Sequence, residues 1–248
     1  MNMEEQWLLT EKYGGVESEA FHADRARLLA GEPLGYVIGW VPFLDCKIWL
    51  DNHPLIPRPE TEYWVENAIR EIKSVGPVAP CILDLCAGSG AVGVSIAKTF
   101  PEAQVTFAEI DPTLLPTIEK NLSKNITHYP ERSEQYQIVA SDLFENVAAT
   151  YDVILSNPPY IDPALDRTQT SVKDFEPHLA LYGGESGMEI IEKIITDAAV
   201  HLNQDGQLWI EHEPEQGVLI QKVGAKAGFS VSTHTDQYEV ERYSVLIQ

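Results

Sequence analysis

Basic residues are scarce in this chain of 248: 17 Lys and Arg stand against 38 Asp and Glu, a formal net charge of −21. Nucleic-acid binders present a basic face to phosphate, so this thin scatter of cations argues against direct nucleic-acid binding. A charge sum also speaks to solubility as much as to partners. Cysteine is nearly missing. Cys46, Cys81 and Cys86 form no CxxC pair, which argues against a disulfide framework or a zinc ribbon and fits a reducing compartment. The seven histidines fall in no HExxH or similar spacing, so no metal site is expected. No apolar run approaches the length of a membrane span. Residues 1–6 are polar and acidic, unlike the basic-then-apolar start of a secretory signal. A cytoplasmic protein with no membrane association is therefore expected. Repeats and low-complexity segments are missing as well.

What is present is ordinary for a globular protein: 44% hydrophobic and 22% charged residues. The length suits one large α/β domain with a small appendage. Residues 1–32 read as one or two short helices with apolar faces at Leu8, Leu9, Phe21, Leu28 and Leu29, stopped at Gly31. Residues 33–57 alternate apolar and turn-forming residues (Tyr36-Val-Ile, Trp40-Val41, Lys47-Ile-Trp-Leu50) and read as a small hairpin. A helix follows from Pro59, suited to a first turn, to about Ile72. The rhythm then changes to strands at 81–85, 104–109, 136–140, 153–156, 207–211, 229–233 and 242–247. Helices at 91–99, 112–124, 188–202 and 215–227 fill the intervals. Such alternation predicts a mostly parallel seven-stranded sheet with helices on both faces, and the short link at 236–238 predicts an antiparallel pair at one edge. Three regions are expected: a helical extension at 1–32, a hairpin and linking helix at 33–75, and an α/β domain at 76–248. The longest loop, residues 158–187, has the length of a functional one.

Two stretches carry chemistry. The first runs Cys81-Ile-Leu-Asp84-Leu-Cys86-Ala87-Gly88-Ser89-Gly90-Ala-Val-Gly93, a strand, a glycine turn and a helix start. Its GxGxxG glycines let backbone approach a ligand closely, and the helix N-terminus offers free N–H groups. The next strand ends in Glu109, placed to accept from two ribose hydroxyls. This is the pattern of an adenine-nucleotide-like cofactor, and the same glycines also serve a plain helix–sheet packing turn. Nicotinamide and S-adenosylmethionine sites share it. Asp84, before the glycines, suits a cationic methionine ammonium better than a pyrophosphate, and it also suits a cap of the turn.

The second stretch is Val153-Ile-Leu-Ser-Asn157-Pro158-Pro159-Tyr160, an apolar strand running into Asn-Pro-Pro-Tyr at the end where open α/β sheets bind ligands. The Asn157 side-chain oxygen and the Pro158 carbonyl can both accept from one NH₂ group, since prolines leave carbonyls outside any ladder. An amide nitrogen is a poor nucleophile, and two fixed acceptors stabilise the positive charge it develops. Tyr160 can stack on a planar group near a sulfonium. The bland reading is a proline-rich turn closing a strand. A dehydrogenase would use the glycine turn but leaves Asn-Pro-Pro-Tyr without a role.

The chain resembles the release-factor glutamine methyltransferases (HemK/PrmC type). The resemblance runs from Pro33 to Gln248 and rests on Pro33-Leu-Gly-Tyr36, Leu55-Ile-Pro-Arg-Pro-Glu-Thr-Glu62, the loop from Asp84 to Gly90, Asp142-Leu143-Phe144, Asn157-Pro-Pro-Tyr-Ile161 and Glu176-Pro-His-Leu-Ala-Leu-Tyr-Gly-Gly184. The second and last blocks are the most specific, because Asn-Pro-Pro-Tyr also occurs in DNA adenine and ribosomal RNA amino methyltransferases. The resemblance implies a Rossmann-like class I methyltransferase that uses S-adenosyl-L-methionine. It implies that Cys86, Ala87, Gly88, Ser89 and Gly90 wrap the methionine part, that Glu109 with Ile110 holds the ribose, and that Asp142 and Leu143 line the adenine. Asn157, Pro158, Pro159 and Tyr160 would grip the glutamine of the Gly-Gly-Gln loop of a peptide-chain release factor. Arg58 and Glu60 would brace the pocket or form an ion pair capping the helix.

Two departures stand out. Cys86 replaces a usual glycine, read as a small buried hydrophobe. Only 32 residues precede Pro33, fewer than in the family's bacterial members, which implies a truncated recognition region and leaves room for a helper subunit. The competing expectations are a nucleic-acid amino methyltransferase using the same grip, and a cofactor-binding subunit without transfer activity.

Overall fold

The computed structural model describes residues 1–165 and 168–248. Seven strands form one sheet in the order β5-β4-β3-β6-β7-β9-β8: β3 (Cys81–Leu85), β4 (Gln104–Glu109), β5 (Tyr136–Ala140), β6 (Tyr151–Ser156), β7 (Leu202–Glu211), β8 (Ser230–Thr235) and β9 (Glu241–Ile247). All neighbouring pairs are parallel except those of β9, which runs antiparallel to both β7 and β8. The mostly parallel sheet with an antiparallel edge, expected from the alternation of elements, is what the chain forms.

Strand order reverses between β3 and β6, and that reversal opens a crevice at the carboxyl ends of the strands. Residues of alternating parity enter two cores. Ile82, Val153, Leu155 and Trp209 face one side with α4 (Pro59–Val75), α5 (Ala91–Thr99) and α6 (Leu115–Asn125). Leu83, Leu85, Ile154, Leu208 and Ile210 face the other with α9 (Glu189–His201) and α10 (Gly217–Lys226). The buried stripe of α4 is Thr61, Trp64, Val65, Ala68, Ile69 and Ile72, the i, i+3, i+4 pattern of one helical face. Two polar-tipped residues, Thr61 and Trp64, sit at the upper end of that stripe.

The helix read over 112–124 divides into a 3₁₀ turn, Pro112–Leu114, and α6, where Pro116 occupies a first-turn position that needs no N–H. The helix read over 188–202 ends at His201, because Leu202 pairs with Tyr151 on β6. The long loop carries α8 (Thr170–Phe175), labelled after the four-residue α7 (Tyr129–Arg132).

At the N-terminus, α1 (Met3–Tyr13) begins with a reciprocal capping box between Asn2 and Glu5, and α2 (Glu19–Leu29) is capped by Ser18. Leu8, Phe21 and Leu28 bury against one another as expected, but Leu29 points outward, 61% exposed. Tyr36-Val-Ile, read as part of a hairpin, is helical: α3 (Leu34–Ile38) starts after Pro33 and stops at Gly39, whose φ of 96° suits glycine. The helix lets Val37 join the Leu8, Phe21 and Leu28 cluster. Tyr36 turns the other way and donates to the Pro54 carbonyl at 2.8 Å.

The hairpin itself is β1 (Trp40–Phe43) paired with β2 (Cys46–Trp49). Phe43, Cys46, Ile48 and Leu50 belong to the same core as the sheet. Side chains four apart on α6 fasten its outer edge. Asn121 accepts from Trp49 N–H at 2.8 Å and donates to Trp49 C=O at 3.0 Å. Asn125 does the same with Lys47 at 3.0 and 2.8 Å, and Thr117 donates to Asp51 C=O at 2.7 Å. The helix thus substitutes for a third strand, meeting backbone groups that an edge strand otherwise leaves unpaired.

Candidate active site

A cleft of about 180 Å³ opens at the carboxyl ends of β3, β4 and β6. Its first wall is the turn after β3. The chain leaves Leu85 and takes positive φ at Cys86 (63°), Gly88 (55°) and Gly90 (77°) before entering α5. Three left-handed residues in five explain the glycines. Cys86 is the non-glycine among them, and its short side chain bears the αL geometry at a cost of roughly 1–2 kcal/mol. The Cys86 side chain packs against the core on the α9 face. Burial pushes its thiol well above the ordinary range, so it is a protonated small hydrophobe and not a nucleophile.

Asp84 is buried beneath the turn, and its Oδ2 accepts from Gly93 N–H at 2.8 Å, the third residue of α5. The cap reading of Asp84 therefore holds, and Asp84 also lines the cleft. Burial pushes its carboxyl up to about 8, with the charge of nearby Glu109 adding to the rise. Gly93 has to be glycine on packing grounds: a Cβ there would stand 2.3 Å from the Phe107 ring and 2.9 Å from Asp84 Oδ2.

Glu109 ends β4, buried, with both carboxylate oxygens engaged. Oε2 accepts from Gly88 N–H at 2.7 Å and Oε1 from Asp111 N–H at 2.9 Å. Burial raises its pKa against these bonds. Each oxygen keeps a second lone pair for a hydroxyl. Ile110, Asp142 and Leu143 line the same side, and Leu143 is held at φ 49° by the Ser141 hydroxyl donating to its carbonyl at 2.7 Å. Of the residues expected on the cofactor side, Asp84, Cys86, Ala87, Gly88, Ser89, Glu109, Ile110, Asp142, Leu143 and Asn157 all line the cleft. Gly90 lies behind it as the cap of α5.

The second wall starts where β6 ends. Asn157 and Pro159 line the cleft; Pro158 is buried behind them. Tyr160 departs from the expectation that it stacks in this cleft. It lines a neighbouring cavity of about 350 Å³, and its hydroxyl donates to Glu211 at 2.9 Å. The buried carboxylate behind it draws the hydroxyl inward; burial, and after it the charge of Glu211, raise the tyrosine pKa well above its usual value. Asn157 donates from Nδ2 to Thr61 Oγ1 at 3.1 Å. Thr61 donates onward to Glu211 Oε2 at 2.6 Å, as does Trp64 Nε1, also at 2.6 Å.

Arg58 and Glu60, expected to brace the pocket, lie outside the cleft lining. The expected Arg58–Glu60 cap is replaced by a longer-range pair: Arg58 binds Glu176 Oε1 at 2.5 Å, while Ile56 N–H donates to Glu176 Oε2 at 3.0 Å. Glu176 is buried and draws both groups because an unpaired carboxylate there would be costly. This pair joins the two most family-specific blocks, and their neighbours Leu55, Pro57, Pro177, Leu179, Ala180 and Tyr182 form the mouth of the cleft. The loop is pinned further by Ile161 N–H to Leu181 C=O at 2.9 Å and Gly183 N–H to Ile161 C=O at 3.0 Å. The sequence assigns no role to Trp64 or Glu211, and it shows Thr61 and Glu176 only as members of the two blocks. One signal pointed to Glu211: like Asp84 and Glu109, it is a carboxylate set directly against an apolar run of its strand, here Leu208-Trp209-Ile210.

Known proteins place this architecture. Residues 72–175 match the family described as Methyltransferase small domain. The fold resembles that of a methyltransferase from Pyrococcus furiosus with a TM-score of 0.59, over 91% of this chain and 97% of that one, at 20% identity. That is a likeness of fold, and it agrees with a cleft at the β3/β6 reversal: the chain has the Rossmann-like fold of class I methyltransferases. The relatives are more specific. The release factor glutamine methyltransferase of Bifidobacterium longum is 35% identical over 95% of this chain and 83% of its own length. That of Lactococcus lactis is 32% identical over 95% and 84%. The chain belongs to the release factor glutamine methyltransferase family.

Proposed function

We propose that this protein methylates the side-chain nitrogen of a glutamine in a peptide-chain release factor, the glutamine of the Gly-Gly-Gln loop, with S-adenosyl-L-methionine as methyl donor. The observation that carries the reading is the orientation of Asn157. Its Nδ2 is spent on Thr61, so Oδ1 is left to the cleft as an acceptor, beside a wall whose donors and carboxylates suit the cofactor.

The fit of that wall is specific. Asp84 offers a buried carboxylate to the methionine ammonium. The open face of Gly88, where a Cβ would meet nothing within 4 Å, admits close approach. Glu109 retains lone pairs for ribose hydroxyls, and Ile110 and Leu143 offer apolar faces to adenine. When bound, the cofactor would supply an electrophilic methyl group on a sulfonium for transfer to the glutamine nitrogen, the C–S electron pair staying with sulfur and the amide proton passing to solvent water.

The residues of this chain do the rest. Asn157 Oδ1 accepts from the amide NH₂ and faces the charge that develops on nitrogen, and the rigid Pro-Pro backbone behind it fixes the line of approach. Leu55, Pro57, Pro177 and Leu179 exclude water at the mouth. A protein substrate is supported over a nucleic acid by family membership and by a net charge of −21.

The test incubates the protein with labelled S-adenosylmethionine, a purified release factor and, separately, DNA and ribosomal RNA, and maps label by peptide mass spectrometry. Label on the Gly-Gly-Gln glutamine, lost in Asn157→Ala, is the expected result. Label on nucleic acid alone, or on no substrate, would overturn the reading.

A further inference from the structure

Glu211 poses a problem of its own. It is 1% exposed, ends β7 on the α4 face, and does not line the cleft. Burying a carboxylate carries a large desolvation cost, and an apolar residue of similar size usually serves stability as well or better. Its surroundings are purpose-built to keep it an acceptor: Thr61 Oγ1 and Trp64 Nε1 donate to Oε2, and the Tyr160 hydroxyl donates to Oε1. Trp64 can only donate.

A threonine hydroxyl has one proton. With that proton committed to Glu211 at 2.6 Å, Thr61 Oγ1 can meet Asn157 only as an acceptor. The Asn157 amide must then turn its NH₂ toward Thr61, at 3.1 Å, and its oxygen toward the cleft. Without the carboxylate, the hydroxyl proton is free to point at Asn157 and the reversed amide is equally well bonded. A reversed amide would set its own NH₂ against the NH₂ of a substrate amide, donor against donor.

We propose that the buried Glu211 carboxylate, acting through the Thr61 hydroxyl, fixes which end of the Asn157 amide faces the cleft, making Glu211 and Thr61 positioning residues for methyl transfer. The inference rests on the proposed function, in which Asn157 Oδ1 receives the substrate nitrogen. The same two bonds do more than orient. Burial raises the Glu211 pKa, and the three donors oppose that rise; ionised, the carboxylate places a negative charge at the far end of a hydrogen-bonded chain whose near end faces the nitrogen as it becomes positive. Each bond polarises the next, so Oδ1 is a stronger acceptor than that of a free asparagine. The network also explains the inward turn of Tyr160, which supplies Oε1 with a donor.

The experiment compares Thr61→Val, which keeps shape and loses the hydroxyl, with Thr61→Ser, which keeps the hydroxyl, under steady-state and single-turnover conditions on the release factor. For Thr61→Val, kcat is expected to fall about 10- to 100-fold, the scale of a misplaced catalytic contact. The dissociation constant for S-adenosylmethionine, by calorimetry, should stay within about twofold, since the change lies off the cofactor wall. Thr61→Ser should return kcat to within a few-fold of wild type. Thr61→Val with wild-type kcat overturns the proposal while leaving the function standing. Equal loss in Thr61→Ser and Thr61→Val, or a loss confined to cofactor binding and thermal stability, also overturns it, because then packing and not the hydroxyl matters. A wild-type protein that leaves the glutamine unmodified overturns the proposed function itself, and this inference with it.

Discussion

The two walls of the cleft are held by different kinds of bond. On the cofactor wall, buried carboxylates accept from backbone N–H groups close in the chain: Asp84 from Gly93, nine residues on, and Glu109 from Asp111 and Gly88, two and 21 residues away. On the substrate wall, side chains meet side chains across long separations. Asn157 reaches Thr61 over 96 residues, Thr61 reaches Glu211 over 150, and Arg58 reaches Glu176 over 118. The first wall is a property of one strand–turn–helix unit. The second exists only when α4, β6, β7 and the 158–187 loop have docked. Backbone donors cannot be mutated away, so damage to the cofactor wall leaves them orphaned and shows as lost affinity and stability. Damage to the substrate wall leaves the cofactor seated and shows as lost turnover.

The largest effect should come from the substrate wall. Asn157→Ala removes the acceptor that faces the developing charge, and its single-turnover rate should drop on the order of 10²- to 10³-fold, the usual worth of one oriented group in a preorganised site. Glu109→Ala comes next and should fail in the opposite manner. Two part-buried N–H groups at the cleft wall lose their acceptor, at up to about 1–3 kcal/mol each, so calorimetry should show S-adenosylmethionine binding weakened by at least about tenfold, with a lowered melting temperature.

A third, smaller effect concerns pH. The folded-state pKa of Asp84, about 8, lies above the ordinary 3.8, so the native state holds the proton more tightly. The stability this contributes is complete below the ordinary value and is lost as pH rises through about 8. Asp84→Asn has no such loss. Between pH 4 and 8, the melting temperature of the cofactor-free variant should therefore gain on wild type by at least about 2–4 °C, the equivalent of 1 kcal/mol in a chain of this size. A flat difference would mean that Asp84 is ionised in the free protein. Cys86→Gly should do least: relief of left-handed strain offsets lost packing and added chain entropy, leaving stability within about 1 kcal/mol of wild type, with methylation intact.

This difference in construction also decides what could be read from the sequence. β3, β4 and β5 stand at 81–85, 104–109 and 136–140, and α5 at 91–99, as their patterns indicated, because each is an apolar run bounded by its own turn formers. Asp84, Gly88 and Glu109 were legible for the same reason: their partners lie in the same local unit. The Asn157–Thr61–Glu211 chain was not, since no local pattern encodes a hydrogen bond between residues 150 apart. Tyr160 misled because its motif describes the backbone, whereas its side-chain direction depends on Glu211. Arg58 was paired with its neighbour Glu60 because Glu176 is distant in sequence. Tyr36-Val-Ile looked extended on its β-branched and aromatic content, yet Gly39 and the Leu8–Phe21–Leu28 pocket favour a helical turn.

The division of labour between the walls is tested most directly by single-turnover methylation of a release factor at saturating S-adenosylmethionine, run side by side on Glu109→Ala and Asn157→Ala. The account predicts that saturation restores Glu109→Ala to within a few-fold of wild type and leaves Asn157→Ala slow. Equal rates in the two variants would contradict it, by showing that the walls do not separate binding from transfer.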